Sequence, residues 1–191
     1  PKKGLVYLVE AVRFLRERNF NVELHLLGGV DDNAASKEYA RELDKCIQDV
    51  NLGKIVHIEG RKPESDVKRF LALSHLFVAP FVETESGDKD GIPTSLLEAM
   101  ATGIPSIATN AGSITEVIDD GHDGILVPQR DPNALAIAIA DLINDFERRT
   151  DMGNNAARKI REKFDVSVCE HIFHEHLSKL LVSKRRKLSS L

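Results

Sequence analysis

Two carboxylates, Asp90 and Glu98, flank the segment whose residue types are best suited to chemistry. A tight turn begins at Gly91, where the backbone can approach a ligand without a Cβ in the way. Thr94 or Ser95 can then open a helix, whose first amides lack helical partners and carry partial positive charge. Such a terminus suits a diphosphate, and carboxylates hold hydroxyl groups well. The residues alone also fit ordinary packing of an alanine-rich helix bearing one glutamate.

Strands and helices are predicted to alternate along the chain and to position this segment. The strands contain β-branched runs without polar alternation, which indicates a parallel sheet covered on both faces, a doubly wound α/β fold. The loop at 81–93 leaves the carboxyl end of one strand, where such sheets bind ligands. Strands are predicted at residues 22–27, 54–58, 76–80, 106–109 and 124–127. Helices are predicted over residues 5–19, 36–50, 64–73, 94–101, 114–118, 132–145, 151–163 and 166–182.

Composition excludes several classes of function. The 26 basic and 30 acidic residues give a net charge of -4, which argues against nucleic acid as a partner because phosphate backbones select basic surfaces. No run is long and apolar enough to span a bilayer, and no signal peptide is expected. Cys46 and Cys169 have neither the spacing nor the context of a metal site or a disulfide framework. A reducing cytoplasm is therefore the expected location.

The run from Asp90 to Thr109 resembles the E-x7-E signature of the retaining family 4 glycosyltransferases. These enzymes have the GT-B architecture of two Rossmann-like domains. The similarity continues through residues 112–118 and 121–128, and it extends over residues 3–164 as a whole. Residues 85–93 look most like the subgroup that builds bacterial exopolysaccharides of the colanic-acid type. The resemblance implies that this chain is the donor-binding half of such an enzyme.

The resemblance also implies a role for each matching residue. Glu98 matches the carboxylate that holds the donor ribose. Asp90 stands where the family usually has the glutamate that contacts the transferred sugar, and its side chain is one methylene shorter. Lys3 matches a lysine that binds the donor phosphates, while Arg61 and Lys62 match the region flanking the base. The remaining positions that match donor contacts are Gly91, Ile92, Pro93, Thr94 and Ser95.

One part of the family pattern has no counterpart in the chain. The family has a strand ending in Gly-Arg just before its Lys-Gly motif, which Lys3 and Gly4 match here. That strand lies at the centre of the sheet, between the strands predicted at 22–27 and 76–80. We therefore expect the domain to lack its own first strand. We also expect an acceptor-binding N-terminal domain to precede it.

The resemblance defines the expected domain organisation and partners. Residues 1–164 are predicted to form the nucleotide-sugar-binding domain, and residues 165–191 a C-terminal helix and basic tail. The bases at 184–187 fit contact with the anionic inner face of a membrane, or equally a solvated helix end. No metal or other cofactor is expected, since Lys3 and a helix N-terminus take over charge stabilisation and the three histidines at 171–176 lack metal-site spacing. The alternatives are a non-catalytic nucleotide-binding module, a sugar-nucleotide epimerase or a phosphorylase.

Overall fold

The computed structural model describes residues 2–84 and 91–188, and the side chains of this part as far as residue 179. Asp90, one of the two predicted carboxylates, lies outside the described residues. Helices and strands alternate along the chain, as the sequence predicts. The elements are α1 (Leu5–Glu17), β1 (Leu24–Leu27), α2 (Ala34–Asp49), β2 (Val56–Gly60), α3 (Glu64–Leu73), β3 (Phe77–Ala79), α4 (Thr94–Ala101), β4 (Ser106–Thr109), a short 3-10 turn (Ile114–Glu116), β5 (Ile125–Val127), α5 (Pro132–Asn144), α6 (Phe146–Lys163) and α7 (Val166–Leu188).

All strand pairs in the described part of the chain are parallel, which confirms the predicted α/β class. The strands form two sheets and not one continuous sheet: β1 pairs with β2, and β3, β4 and β5 pair in that order. No described strand lies between β1 and β3. The central strand that the resemblance implies would occupy this position, and it stays a prediction.

The packing follows the division of the strands. One hydrophobic cluster joins α1, β4, β5 and α5, and a second joins α4 to β3, β4 and α6. A third joins α1 and α2 to the β1–β2 sheet. Helix α1 belongs to the first and third clusters because it buries Leu8 and Leu15 toward one and Val9 and Val12 toward the other. It therefore connects the two sheets.

Most element boundaries agree with the sequence, and the exceptions have local causes. Helix α6 begins at Phe146, five residues before the predicted start at 151, because Asp145 caps it by accepting a hydrogen bond from the Arg148 amide at 2.9 Å. The same aspartate ends α5, so two helices meet where the sequence predicts a loop. Strand β2 runs from Val56 to Gly60, two residues later than predicted.

Helix α7 packs little against the rest of the molecule. Its described apolar side chains are largely solvent-exposed, with Phe173 65% and Val166 71% exposed. It starts at Val166, as predicted for this helix, and the domain boundary between residues 164 and 165 stays a prediction. No helix in the described part of the chain has the length and apolar character required to cross a membrane.

Candidate functional site

The loop from β3 to α4 ends at a helix terminus with an exposed polar face. Pro93 occupies the N-cap position, so this helix has no capping side chain there, unlike α2, α5 and α6. Leu96 and Met100 anchor the buried face of α4, which leaves Thr94, Ser95 and Glu98 exposed to solvent. The geometry of α4 thus matches the predicted position of Glu98 just after the first turn.

The segment containing Lys3 lies directly on this loop. The Val82 amide donates a hydrogen bond to the Lys2 carbonyl at 2.9 Å. Gly4 has a left-handed φ of 63°, and a Cβ at this position would lie 1.8 Å from the Pro80 carbonyl oxygen. The Lys3 ammonium lies 4.4 Å from the centre of the Phe81 ring, within the range of a cation–π interaction. The structure therefore brings Lys3 together with the start of the loop.

Three residues bind Glu83, which lies just after β3: Gly112, Gln129 and Arg130. We call these four residues together the Glu83 clamp. The Glu83 amide donates to Gln129 Oε1 at 2.7 Å, and the Gly112 amide donates to Glu83 Oε1 at 3.1 Å. Arg130 Nη2 donates to the Glu83 carbonyl oxygen. The partners of Glu83 thus come from the segments that follow β4 and β5. All three parallel strands end at this edge.

Three of the clamp residues, Glu83, Gln129 and Arg130, border an open cleft of about 610 Å³. Thr84, Asn110 and Pro128 complete its lining, so the surface carries a carboxylate, two amides and a guanidinium. The clamp residues are far apart in the chain and belong to no short motif, so the sequence did not predict that they meet. The available signal is their position: each follows a predicted strand at its carboxyl end.

Arg61 and Lys62 follow β2, in the other sheet. Arg61 Nη2 lies 3.4 Å from Asp31 Oδ1 in an exposed ion pair, and Lys62 Nζ lies 3.1 Å from Glu59 Oε2. Hydrogen bonds from His25 and then from Lys62 lower the pKa of Glu59. The structure therefore places both basic residues at the carboxyl edge of the β1–β2 sheet, and ion pairs hold both.

Lys68 provides an electrostatic link between α3 and α4. Its ammonium pairs with Glu64 at 2.6 Å. That hydrogen bond raises the pKa of Lys68, with a smaller contribution from the charge of Glu98. Lys68 on α3 is therefore close enough to Glu98 on α4 for their opposite charges to interact.

One group of metal-ligand side chains occurs among the described residues. Potential ligand atoms of Glu23, His25 and His57 lie within 4.8 Å of one another on the β1–β2 sheet. His25 Nδ1 also contacts Glu59 Oε1 at 3.0 Å. Glu23 precedes β1, so the group lies toward the amino end of the β1–β2 sheet and not at its carboxyl edge. The expectation that the donor site needs no metal stays a prediction.

Solved structures of glycosyltransferases share this fold. Residues covering 93% of the chain superimpose on 45% of HepE from Anabaena, in a complex with UDP and glucose, with a TM-score of 0.81 and 25% identity. Sucrose-phosphate synthase from Thermosynechococcus elongatus matches over 95% of this chain and 43% of its own, with a TM-score of 0.82 and 24% identity. The fold is that of the Rossmann-like C-terminal domain of GT-B enzymes, as predicted.

Sequence relatives identify the family. The chain belongs to the glycosyl transferases group 1 family, whose model matches residues 1–159. It is 32% identical over 180 residues to an Escherichia coli K12 protein named as the colanic acid biosynthesis glycosyltransferase WcaL, covering 94% of this chain and 42% of that protein. It is 31% identical over 180 residues to the amylovoran biosynthesis glycosyltransferase AmsK of Erwinia amylovora, with the same coverage of 94% and 42%. The chain thus spans less than half the length of these relatives.

Proposed function

We propose that this chain is the donor-binding domain of a glycosyltransferase that moves a sugar from a nucleoside-diphosphate sugar to a hydroxyl acceptor, with retention of anomeric configuration. One observation carries the proposal: Lys3 contacts Phe81 just after β3, at the start of the segment that leads to α4 and its exposed Glu98. A lysine, helix amides and a carboxylate are the groups that a diphosphate and a ribose require. The bound UDP and glucose of HepE support this assignment.

Charge stabilisation is the main chemical task of such a site. Lys3 and the amides at residues 94–96 stabilise the negative charge that develops on the departing diphosphate, so no metal ion is required. The sugar passes through an oxocarbenium-like transition state. Asp90 accepts hydrogen bonds from the sugar, and Glu98 from the ribose. Contacts from residues 91–93 and from the segment of Arg61 and Lys62 complete donor binding.

The acceptor is proposed to come from a polysaccharide or glycoconjugate pathway. The names of WcaL and AmsK, which refer to colanic acid and amylovoran, support this assignment. An N-terminal domain is proposed to supply the acceptor site across a cleft. Contact of the basic residues 184–187 with a membrane surface would bring the enzyme to a lipid-linked acceptor, and it remains a prediction.

A titration panel tests the proposal. UDP, GDP, ADP and their sugars are added to the full-length protein, and one base is expected to give saturable binding. Glu98→Ala is expected to weaken that binding about tenfold to a hundredfold, the loss of hydrogen bonds to a charged group. Glu116→Ala removes another exposed glutamate and serves as the matched control. Indifference of the unaltered protein to the whole panel would rule out a donor site.

Product analysis separates transfer from the alternatives. The proposed transferase forms a new glycosidic bond and releases the nucleoside diphosphate only when a hydroxyl acceptor is present. An epimerase would interconvert sugars without a glycan acceptor, and a phosphorylase would require inorganic phosphate. Nucleotide binding with none of these products would indicate a non-catalytic module. Full activity of Asp90→Ala would contradict the role proposed for Asp90.

A further inference from the structure

The Glu83 clamp fixes the backbone at one residue of the segment 81–93, which we call the donor loop because it is proposed to bind the donor. The amide and the carbonyl of Glu83 both have side-chain partners, Gln129 and Arg130, and its carboxylate accepts from the Gly112 amide. Secondary structure normally satisfies backbone groups at such positions. Here two side chains from the segment after β5 take over that task, so they determine the direction in which the chain leaves β3.

Arg130 is held in a backbone conformation that is costly for its residue type. Its φ of 57° lies in the left-handed region, which glycine adopts without the steric cost that a Cβ brings. Such strain persists only where surrounding contacts enforce it. The arginine precedes Asp131, the N-cap of α5, and its guanidinium extends from there to Glu83. The local backbone conformation favours glycine at this position. The hydrogen bond from the Arg130 side chain to Glu83 therefore explains why arginine occupies it.

A second contact holds the same loop closer to Lys3. The buried hydroxyl of Thr109 donates to the Phe81 carbonyl, and Phe81 carries the Lys3 ammonium on its ring. Phe81 is thus anchored independently of Glu83, beside the lysine that is proposed to bind the donor phosphates. Glu83 lies farther along the chain, toward the residues proposed to contact the sugar.

We propose that Gln129 and Arg130 are positioning residues that act through Glu83 to set the affinity of the site for the sugar part of the donor. The inference rests on the proposed function, because it assumes that the loop after Glu83 binds a nucleotide-linked sugar. Neither residue needs to touch the donor. The clamp fixes where the loop starts, while Lys3 and the N-terminus of α4 hold the diphosphate.

The test compares affinities for a nucleotide sugar and for the nucleoside diphosphate without its sugar. In the full-length protein, Arg130→Gly is expected to raise KM for the preferred nucleotide sugar about fivefold, the effect of losing one hydrogen bond. The Kd for the nucleoside diphosphate is expected to change less than about twofold. Because glycine relieves the left-handed strain, the stability to unfolding should not fall. Arg130→Gly should thus change KM without lowering the stability of the protein.

Three further variants complete the experiment. Gln129→Met, which keeps the side-chain length and removes the acceptor oxygen, should reproduce the selective rise in KM. Arg130→Lys should recover part of the loss because an ammonium can still donate to the carbonyl. Asn51→Gly is the matched control, since Asn51 has a left-handed φ of 54° after α2 and lies outside the clamp. Its KM should equal that of the unaltered protein.

The outcomes distinguish the clamp from the proposed function. An unchanged KM in Arg130→Gly and Gln129→Met would overturn the clamp, and so would an equal loss of affinity for the nucleotide sugar and the nucleoside diphosphate. In both cases nucleotide binding by the unaltered protein would leave the proposed function standing. If the unaltered protein binds no nucleotide at all, the proposed function fails and the clamp fails with it.

Discussion

Gly4 lies against the backbone of Pro80 in a left-handed conformation. Its neighbour Lys2 accepts the hydrogen bond from Val82, and Lys3 reaches the ring of Phe81. Lys3 can therefore lie on the loop because the next residue, Gly4, has no side chain that would collide with the Pro80 backbone. At this scale, one Cβ decides whether the cation and the loop can meet.

Gly4→Ala is expected to destabilise the protein by about 3 kcal/mol, combining left-handed strain with a forced shift of the Pro80 backbone. Chemical denaturation measures the loss as a lower midpoint. Gly121→Ala is the matched control, because Gly121 has a φ of 76° with nothing within 4 Å of an added Cβ. That variant should lose only the strain, about 1 kcal/mol. Equal losses in both variants would show that the contact with Pro80 carries no cost.

Site residues could be predicted from the sequence only where they share a short motif. Glu98, Thr94 and Ser95 follow one another in a single turn-and-helix pattern, and the structure places all three on the exposed side of α4. Gln129 and Arg130 contact Glu83 across more than forty positions of sequence, with separations of 46 and 47 residues. Such contacts depend on which strands are neighbours in the sheet, and no local pattern encodes that order.

At the scale of elements, a buried ion pair ties α6 to the loop before β5. Lys159 Nζ lies 2.8 Å from Asp123 Oδ2 and 2.9 Å from Asp119 Oδ2. Asp123 is 1% exposed and also accepts a hydrogen bond from the Asp119 amide at 2.8 Å. Removing one partner of such a pair leaves an uncompensated charge in the interior. The pair therefore fixes the position of α6 relative to this loop.

The stability contribution of this pair should depend on pH at both extremes. Burial disfavours the charged ammonium, but the hydrogen bonds to Asp123 and Asp119 outweigh it and raise the pKa of Lys159. That contribution is complete below the unfolded-state pKa of about 10.4 and is lost as pH rises through the folded-state value. The hydrogen bond from Lys159 lowers the pKa of Asp119. Its contribution is present above about pH 3.9 and is lost as pH falls through the folded-state value.

Lys159→Met is expected to lower the free energy of unfolding by about 3 kcal/mol near neutral pH. The difference from the unaltered protein should shrink above about pH 10.4 and below about pH 3.9. Urea denaturation across this range measures it. Lys163→Met, an exposed lysine on the same helix, is the control and should change little. A difference that stays constant at both extremes would show that the ion pair does not cause the loss.

Element boundaries could be predicted where local signals agree and were missed where one residue serves two elements. Helix α4 runs from Thr94 to Ala101 and strand β4 from Ser106 to Thr109, both as predicted. Asp145 ends α5 and caps α6, so α6 starts at Phe146, in the short segment left between the two predicted helices. The shift of β2 reflects its register with β1, in which Leu24 aligns with Val56. Register depends on the partner strand, which the local sequence does not contain.

At the scale of the whole molecule, the division into two sheets makes packing uneven. Helix α5 buries five side chains, whereas α3 buries none along its whole length from Glu64 to Leu73. Leu73 at the end of α3 is 72% exposed. Helix α3 connects β2 of one sheet to β3 of the other. A helix with no buried side chain therefore links the two sheets.

We expect this unevenness to appear in amide hydrogen exchange. Local opening costs little where few apolar side chains are buried, so the amides of α3 should exchange with protection at least about tenfold lower than those of α5. Exchange followed by mass spectrometry on the 191-residue chain measures both helices in one sample. Helix α4, which buries Leu96, Ala99 and Met100, is the internal control of similar length and should resemble α5. Equal protection of α3 and α5 would show that opening is global and that the two sheets behave as one cooperative unit.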